Sequence, residues 1–415
     1  MNANVLITII LILNAFLSGF YFLASTKQYR HDIFDPHYIF VVSWFLSFGI
    51  APISVYVNGG NYSWFSYTET NLLFAIVFSW IIVLVTDILI RFSLKSSYRF
   101  KSTKINKIQT RTLWAFTLAA FIFMATSTYS KLSLGVNIAE IRYVSLESVG
   151  GSGLEQLPLF FISVYVVLLC VCRQRIHFYL LAGIWLPYSI LTGSRAGVLT
   201  IALLYLWLKK DTWGPWKILV STLVLFVFLF VLFILKTDTQ WNDLKLRDLS
   251  LILSVVASTF DQVEWFSQSL SSDFLLRPIL PTIEAVVFTY LPRALFSWKP
   301  ASFGQMNFEY YLSGRDYPTE PVSGTYPVGI FTEFFMQFNV FSFLAFPLFI
   351  YFICRVYRGN RSNTAVAIVF QSAYLCSFGM FVNFSRGFSD TVGAFVFSFI
   401  IAFILYKLVT LKFSR

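Results

Sequence analysis

The sequence is short of charge. Only 12% of its 415 residues are Asp, Glu, Lys or Arg, about half the roughly 25% of a soluble domain, which excludes a water-soluble globular chain of this length. Cysteine is scarce too. Cys170, Cys172, Cys354 and Cys376 lie within or at the ends of apolar runs, so the chain carries neither a disulfide framework nor a Cys-x-x-Cys metal site, and the four read as small core residues. Histidine occurs three times, at His31, His37 and His177. No internal repeat is visible, which argues against the inverted-repeat construction of many secondary transporters. No basic residue precedes Lys27, and the first apolar run is about 20 residues long, where a signal peptide has a basic start and an apolar stretch of about 7–15 residues. That run therefore reads as a retained transmembrane helix.

What is abundant is apolar surface. The chain is 57% hydrophobic with 48 phenylalanines and a mean hydropathy of +0.70. A bilayer core asks for about 20 apolar residues per helix, and stretches at 5–24, 38–57, 71–92, 112–130, 158–172, 177–193, 196–208, 216–235, 328–353, 364–383 and 390–408 answer to it. The expected fold is an all-α polytopic membrane protein of about 11 transmembrane helices. Placing the N-terminus outside puts 20 of the 31 Lys and Arg residues in or beside the inner connections. These include Lys27, Arg91, Arg173, Arg175, Lys209, Lys210, Arg355, Arg358 and Lys407. Every short connection then obeys the positive-inside rule, which predicts an N-out, C-in topology. The net charge of +11 becomes a collar facing anionic lipid and not a nucleic-acid surface.

The organisation is a single membrane domain over 1–415, with an outer loop at 236–327 between the eighth and ninth spans. A loop of that length carries structure of its own, and Leu249, Ile252, Leu253, Val256 and Phe260 share one helical face suited to the outer membrane interface. A second outer segment, 131–157, holds the Gly/Ser-rich turn "SVGGSGLEQ". The loop aromatics Trp241, Trp265, Trp298, Tyr310, Tyr311, Tyr317 and Tyr326 fit either stacking on sugar rings or anchoring at the interface.

Cations sit where this topology leaves few reasons for them. "ILTGSRAGVL" puts Arg195 at the outer mouth between the sixth and seventh spans. "YLPRALFSWKP" supplies Arg293 and Lys299, and "NFSRGFSD" adds Arg386 at another outer helix end. A lone arginine at such a place is an interfacial anchor. Several at one level suit phosphate oxygens, which accept the paired hydrogen bonds of guanidinium forks. All three histidines fall on the inner side, so a proton acceptor on the outer side has to be a carboxylate or a tyrosinate. Glu333, roughly two turns into the ninth span, is the leading candidate, with a structural ion pair as its alternative role. Asp261, Glu264, Glu309 and Tyr326 in the long loop are weaker ones. Asp87, near the inner side, satisfies a polar neighbour. The outer segments contain no Asp-x-Asp or His-x-Asp, which predicts chemistry without a metal or other cofactor.

The successive stretches "GSRAG", "YLPRALFSWKP" and "PVSGTYPVGIFTEFFMQFNV" (321–340) resemble the signatures of bacterial O-antigen or oligosaccharide repeat-unit polymerases of the Wzy type, in the same order and over nearly the whole chain. The likeness departs from the pattern at Thr332, where glycine is frequent, at Phe335 in place of tyrosine, and at Phe338-Asn339-Val340 in place of Asn-Phe-Gly. The resemblance implies a GT-C-type glycosyltransferase of the inner (plasma) membrane, with its active site facing the periplasm. It would move a growing glycan from undecaprenyl diphosphate onto the next undecaprenyl-diphosphate-linked repeat unit, as in lipopolysaccharide synthesis. Arg195, Arg293 and Glu333 match motif positions, and Lys299 matches the lysine of the Lys-Pro pair. The implied partners are the lipid-linked oligosaccharides, a chain-length-regulating co-polymerase and a flippase. Two rivals stand beside this reading: an O-antigen ligase, which by resemblance calls for an outer histidine, and a flippase or transporter of lipid-linked oligosaccharides, which calls for ionisable groups at mid-membrane.

Overall fold

The computed structural model describes residues 3–28, 32–53, 69–93, 109–132, 156–191, 195–210, 329–359, 364–378 and 387–410, with isolated positions between 212 and 288. Among them there is no strand. The helices are α1 (Ala3–Gln28), α2 (Pro36–Trp44), α3 (Glu69–Ser93), α4 (Thr110–Leu132), α5 (Gln156–Val171), α6 (Arg175–Leu191), α7 (Arg195–Lys209), α8 (Ile330–Phe338), α9 (Ser342–Gly359), α10 (Ala365–Cys376) and α11 (Phe388–Thr410). Helix occupies ten of the eleven expected stretches. The remaining one, the eighth at 216–235, lies outside the described residues except for isolated helical positions, and so does nearly all of the 236–327 loop. Among the described residues, five stretches are long and apolar enough to cross a membrane: Val5–Gln28, Pro36–Ile53, Thr70–Phe92, Ile330–Gly359 and Phe388–Thr410. Shorter apolar helices accompany them. The protein is a helical membrane protein.

The packing has the inverted polarity that lipid demands. On α1, Phe16 and Phe20 are each 72% exposed, whereas Ile7, Leu11, Asn14, Ser18 and Ser25 are buried. The buried set falls three, four or seven residues apart, so it forms one stripe, and Asn14, Ser18 and Ser25 lie on it. With no water in the hydrocarbon, each buried polar group needs a partner in the protein. Asn14 has two: its Nδ2 donates to the Phe48 carbonyl (2.6 Å) and its Oδ1 accepts from Trp80 Nε1 (2.9 Å). The Phe48 carbonyl lies within a π-helical stretch, Phe45–Ile50, that continues α2. Gly49 in the same stretch presses on α1 so closely that a Cβ there would run into Ser18 Oγ.

One end of the bundle is tied by charge. Asp35 caps α2 by accepting from the His37 N–H (3.0 Å), with Pro36 preset for the first turn. The same carboxylate takes two hydrogen bonds from Arg358, from Nε at 2.8 Å and Nη2 at 3.0 Å. Burial pushes the Asp35 carboxyl up, and the Arg358 guanidinium pulls against it. Asp32 accepts from Tyr357 Oη (3.1 Å) and pairs with Lys210 (3.4 Å), whose ammonium also lies 3.6 Å from the Trp207 ring centroid. Tyr374 Oη donates to the Phe34 carbonyl (2.8 Å). Arg91 pairs with Asp87 (2.8 Å), which lies 3.8 Å from His37. The connection after α1 and the ends of α3, α7 and α9 are therefore held together. These are ends that the basic residues assign to one side.

The expected ninth span, 328–353, is not one helix. It breaks at Asn339, whose φ is +48°, and a 3-10 turn Asn339–Phe341 separates α8 from α9. A continuous helix would hold residues 331 and 346 about 22 Å apart. Instead the Phe331 and Phe346 rings are 4.8 Å apart, and Phe334 lies 4.8 Å from Phe346 and 5.4 Å from Phe349. So α8 doubles back along α9. Phe331 also meets Phe40 of α2 and Phe48 of the π-helical stretch that follows it, and Phe335 meets Phe78 of α3. Residues 330–337 are all buried, while Val340 and Phe341 at the turn are 67% and 81% exposed. An irregular backbone within a membrane protein is tolerated where protein surrounds it, and α8 meets that condition.

Candidate functional site

Of the residues singled out from the sequence, the structure gives a full environment to Glu333 and a backbone position to Arg195. Arg293, Lys299, Arg386, Asp261, Glu264, Glu309 and Tyr326 lie outside the described residues. Arg195 is the first residue of α7. The glycine two positions on explains part of the "GSRAG" pattern. At Gly197 a Cβ would collide with Ser189 Oγ and stand 2.9 Å from Trp185 Nε1, both on α6. Only a glycine lets the first turn of α7 lie this close to the last turns of α6, which also contains Pro187. The motif thus fixes a tight crossing with an arginine at its edge.

Glu333 stands in the first turn of α8 and is 1% exposed. Its Oε1 accepts from Gln337 Nε2, one helical turn along (2.8 Å), from the Ser389 backbone N–H (3.0 Å), and from Ser389 Oγ–H. Gln337 Nε2 also reaches Ser389 Oγ (3.2 Å). Oε2 lies against Gly387, where a Cβ would come within 2.5 Å of it. Gly387 has φ +105°, a conformation that L side chains rarely adopt, so glycine is required there twice over. Next to it in sequence, the rings of Phe334 and Phe388 pack together at 4.3 Å, and Phe388 packs on Phe349 at 5.0 Å.

The carboxylate therefore sits at the N-terminus of α11, where unsatisfied N–H groups and the helix dipole favour negative charge. It is a cap supplied across 56 residues of sequence. The alternative role expected for Glu333, an ion pair with an outer arginine, involves side chains that lie outside the described residues. Phe388, at the start of α11, packs on Phe349, midway along α9. Gln337, Gly387 and Ser389 went unrecognised in the sequence. The signals were present: Glu333 and Gln337 are four apart on one helix, and "GFSD" opens a span with a glycine and two small polar or acidic residues. Among the described residues no group of three His, Cys, Asp or Glu side chains is placed to hold a metal ion.

No family model matches the chain, and no curated protein or solved structure does either.

Proposed function

We propose that the protein polymerises lipid-linked oligosaccharide repeat units, as a GT-C-type glycosyltransferase acting on the outer face of the plasma membrane. The observation that carries the reading is the contact between a signature segment and the start of the helix that follows Arg386, far apart in sequence. Glu333, chosen from the "TYPVGIFTEFF" signature, accepts the first-turn N–H of the helix that follows Arg386. A buried carboxylate tied to the start of another helix suits a bundle that must hold a particular turn in place.

The reaction breaks the bond between the anomeric carbon of the growing glycan and its diphosphate, and forms a bond to a hydroxyl of the acceptor repeat unit. The diphosphate leaves with the bonding pair, so it needs positive charge where negative charge develops. Arg195 and Arg293 take that role, with Lys299 and Arg386 in support. The hydroxyl proton passes to a base, drawn from Asp261, Glu264, Glu309 or Tyr326 in the outer loop, or from Glu333. No metal is required by this scheme.

Purified protein supplied with synthetic diphospholipid-linked repeat units is expected to give a ladder of longer glycans that a chelator does not abolish. Arg195→Ala and Arg293→Ala are expected to lower the rate by about 100-fold or more, the scale on which loss of one charge-stabilising donor acts. Normal polymerisation by both variants would remove these arginines from the mechanism. One observation favours a second reading, a flippase: α8 is a broken helix with a carboxylate inside the bundle, a construction also used by transporters. Vesicles in which the lipid-linked unit changes leaflet without lengthening would decide for it.

A further inference from the structure

Ionisable side chains are costly inside a membrane, and those that lie within spanning helices are candidates for proton or ion sites. His37 and Asp87 are such a pair. His37 is the second residue of α2, in the stretch Pro36–Ile53, and Asp87 lies in the last two turns of α3, in the stretch Thr70–Phe92. The two residues are 1% and 9% exposed. His37 Nε2 stands 3.8 Å from Asp87 Oδ1. That is too far for a hydrogen bond and close enough, away from solvent, for each group to feel the other's charge. Arg91 Nε holds Asp87 Oδ2 at 2.8 Å, and this arginine is 57% exposed. Oδ1, on the histidine side, is buried without a hydrogen bond, and so is the Tyr21 hydroxyl of α1, which faces the same carboxylate.

A purely structural polar group in a protein interior is hydrogen-bonded, as Asn14 is here through both its amide atoms. A half-bonded carboxylate beside a histidine departs from that pattern. We propose that His37 and Asp87 form a proton-operated latch between α2 and α3. A proton from the inner side binds His37 Nε2 while Nδ1 keeps its own hydrogen, and the new N–H donates to Asp87 Oδ1 and draws the two helices together. Return of the proton to water opens the gap again. Asp87 and Arg91 of α3 and Arg358 of α9 face the ring. Cys354 of α9 lies beside the His37 backbone N–H, which Asp35 accepts, and Tyr21 faces the carboxylate from α1. The start of α2 is well placed to pass such a movement on. Asp35 is bonded to Arg358, and Asp32 to Lys210 and Tyr357, so α3, α7 and α9 are all tied to this point.

The test needs no substrate, and it is independent of whether the protein polymerises or transports glycans. The chain has three histidines. Ring NMR of the full-length protein in nanodiscs follows them, and His31→Gln and His177→Gln, made singly, identify the His37 signal. That signal is expected to titrate reversibly between about pH 4 and about pH 8, the range in which histidines change charge. In Asp87→Asn, proton binding at His37 is expected to weaken by about tenfold or more, the effect of losing an opposite charge at this distance. Thermal unfolding reads the latch. Between about pH 5 and about pH 8 the native midpoint is expected to move by about 2 °C or more beyond the change seen in His37→Gln. A His37 signal that does not titrate would overturn the proposal. An unchanged titration in Asp87→Asn would do the same, since it would leave a histidine acting alone. Equal pH dependence of the native and His37→Gln midpoints would remove the latch. Where His37→Gln does not fold, the titrations of the native protein and of Asp87→Asn decide.

Discussion

At the scale of single residues, buried polar groups carry the specificity of this protein, because hydrophobic contact alone does not distinguish one lipid-soluble helix pairing from another. Asp35 illustrates this. One carboxylate caps α2 and grips Arg358 with two hydrogen bonds, with the Asp35 and Arg358 side chains 4% and 12% exposed. Removing one partner of such a pair strands a charge, which costs about 3–5 kcal/mol. Asp35→Ala is therefore expected to lower the thermal midpoint of the detergent-solubilised protein markedly, and Asp35→Ala with Arg358→Met to recover most of the loss. A double variant no better than the single one would show that the cap, and not the ion pair, sets the stability. Glycines act in the same register by their absence of a side chain. Gly49, Gly197 and Gly387 each mark a place where a Cβ would collide with, or crowd, a polar side chain from another element.

At the scale of elements, hydropathy located the helices well and their courses badly. The run from 328 to 353 is apolar throughout, and nothing in its composition marks a reversal. The reversal lies in one backbone angle at Asn339 and in a phenylalanine cluster that becomes contiguous only after the chain has turned. Apolar residues on α8 look the same whether the helix continues or folds back, since both outcomes bury them. A direct check is a pair of cysteines, Phe331→Cys and Phe346→Cys, in a background with the four native cysteines replaced. A short thiol-to-thiol reagent is expected to link them, because the replaced rings lie 4.8 Å apart; the roughly 22 Å of a continuous helix would prevent it. Failure to link at any reagent length up to that span would mean that α8 runs on into α9.

At the scale of the whole molecule, the distribution of basic residues made a claim about sidedness, and the bundle's ties agree with its grouping. Asp32 reaches Lys210 and Tyr357, Asp35 reaches Arg358, and the Gln109 N–H reaches the Val409 carbonyl (3.1 Å). These contacts bring to one end several segment ends that the positive-inside pattern had already sorted together. The sidedness itself is open to measurement. Single cysteines at Lys27, Arg175, Lys209 and Lys407 are expected to react with a membrane-impermeant thiol reagent in inside-out vesicles and not in right-side-out ones. Labelling divided between the two preparations would break the N-out, C-in topology and with it the outer placement of Arg195 and Arg386.

The amino-acid order alone determined that the chain is a helical membrane protein, where most of its helices lie and which of their ends belong together, because transfer of apolar residues into lipid and of basic residues to one surface are sums over local composition. It also picked out Glu333 as a residue worth following. Tertiary structure alone decided what that carboxylate touches. Its partners, Ser389 and Gly387, are more than fifty residues away, and they meet it only because α8 turns back at Asn339 and α11 begins midway along α9. Such a contact depends on the paths of three helices at once, and no window of sequence contains that information.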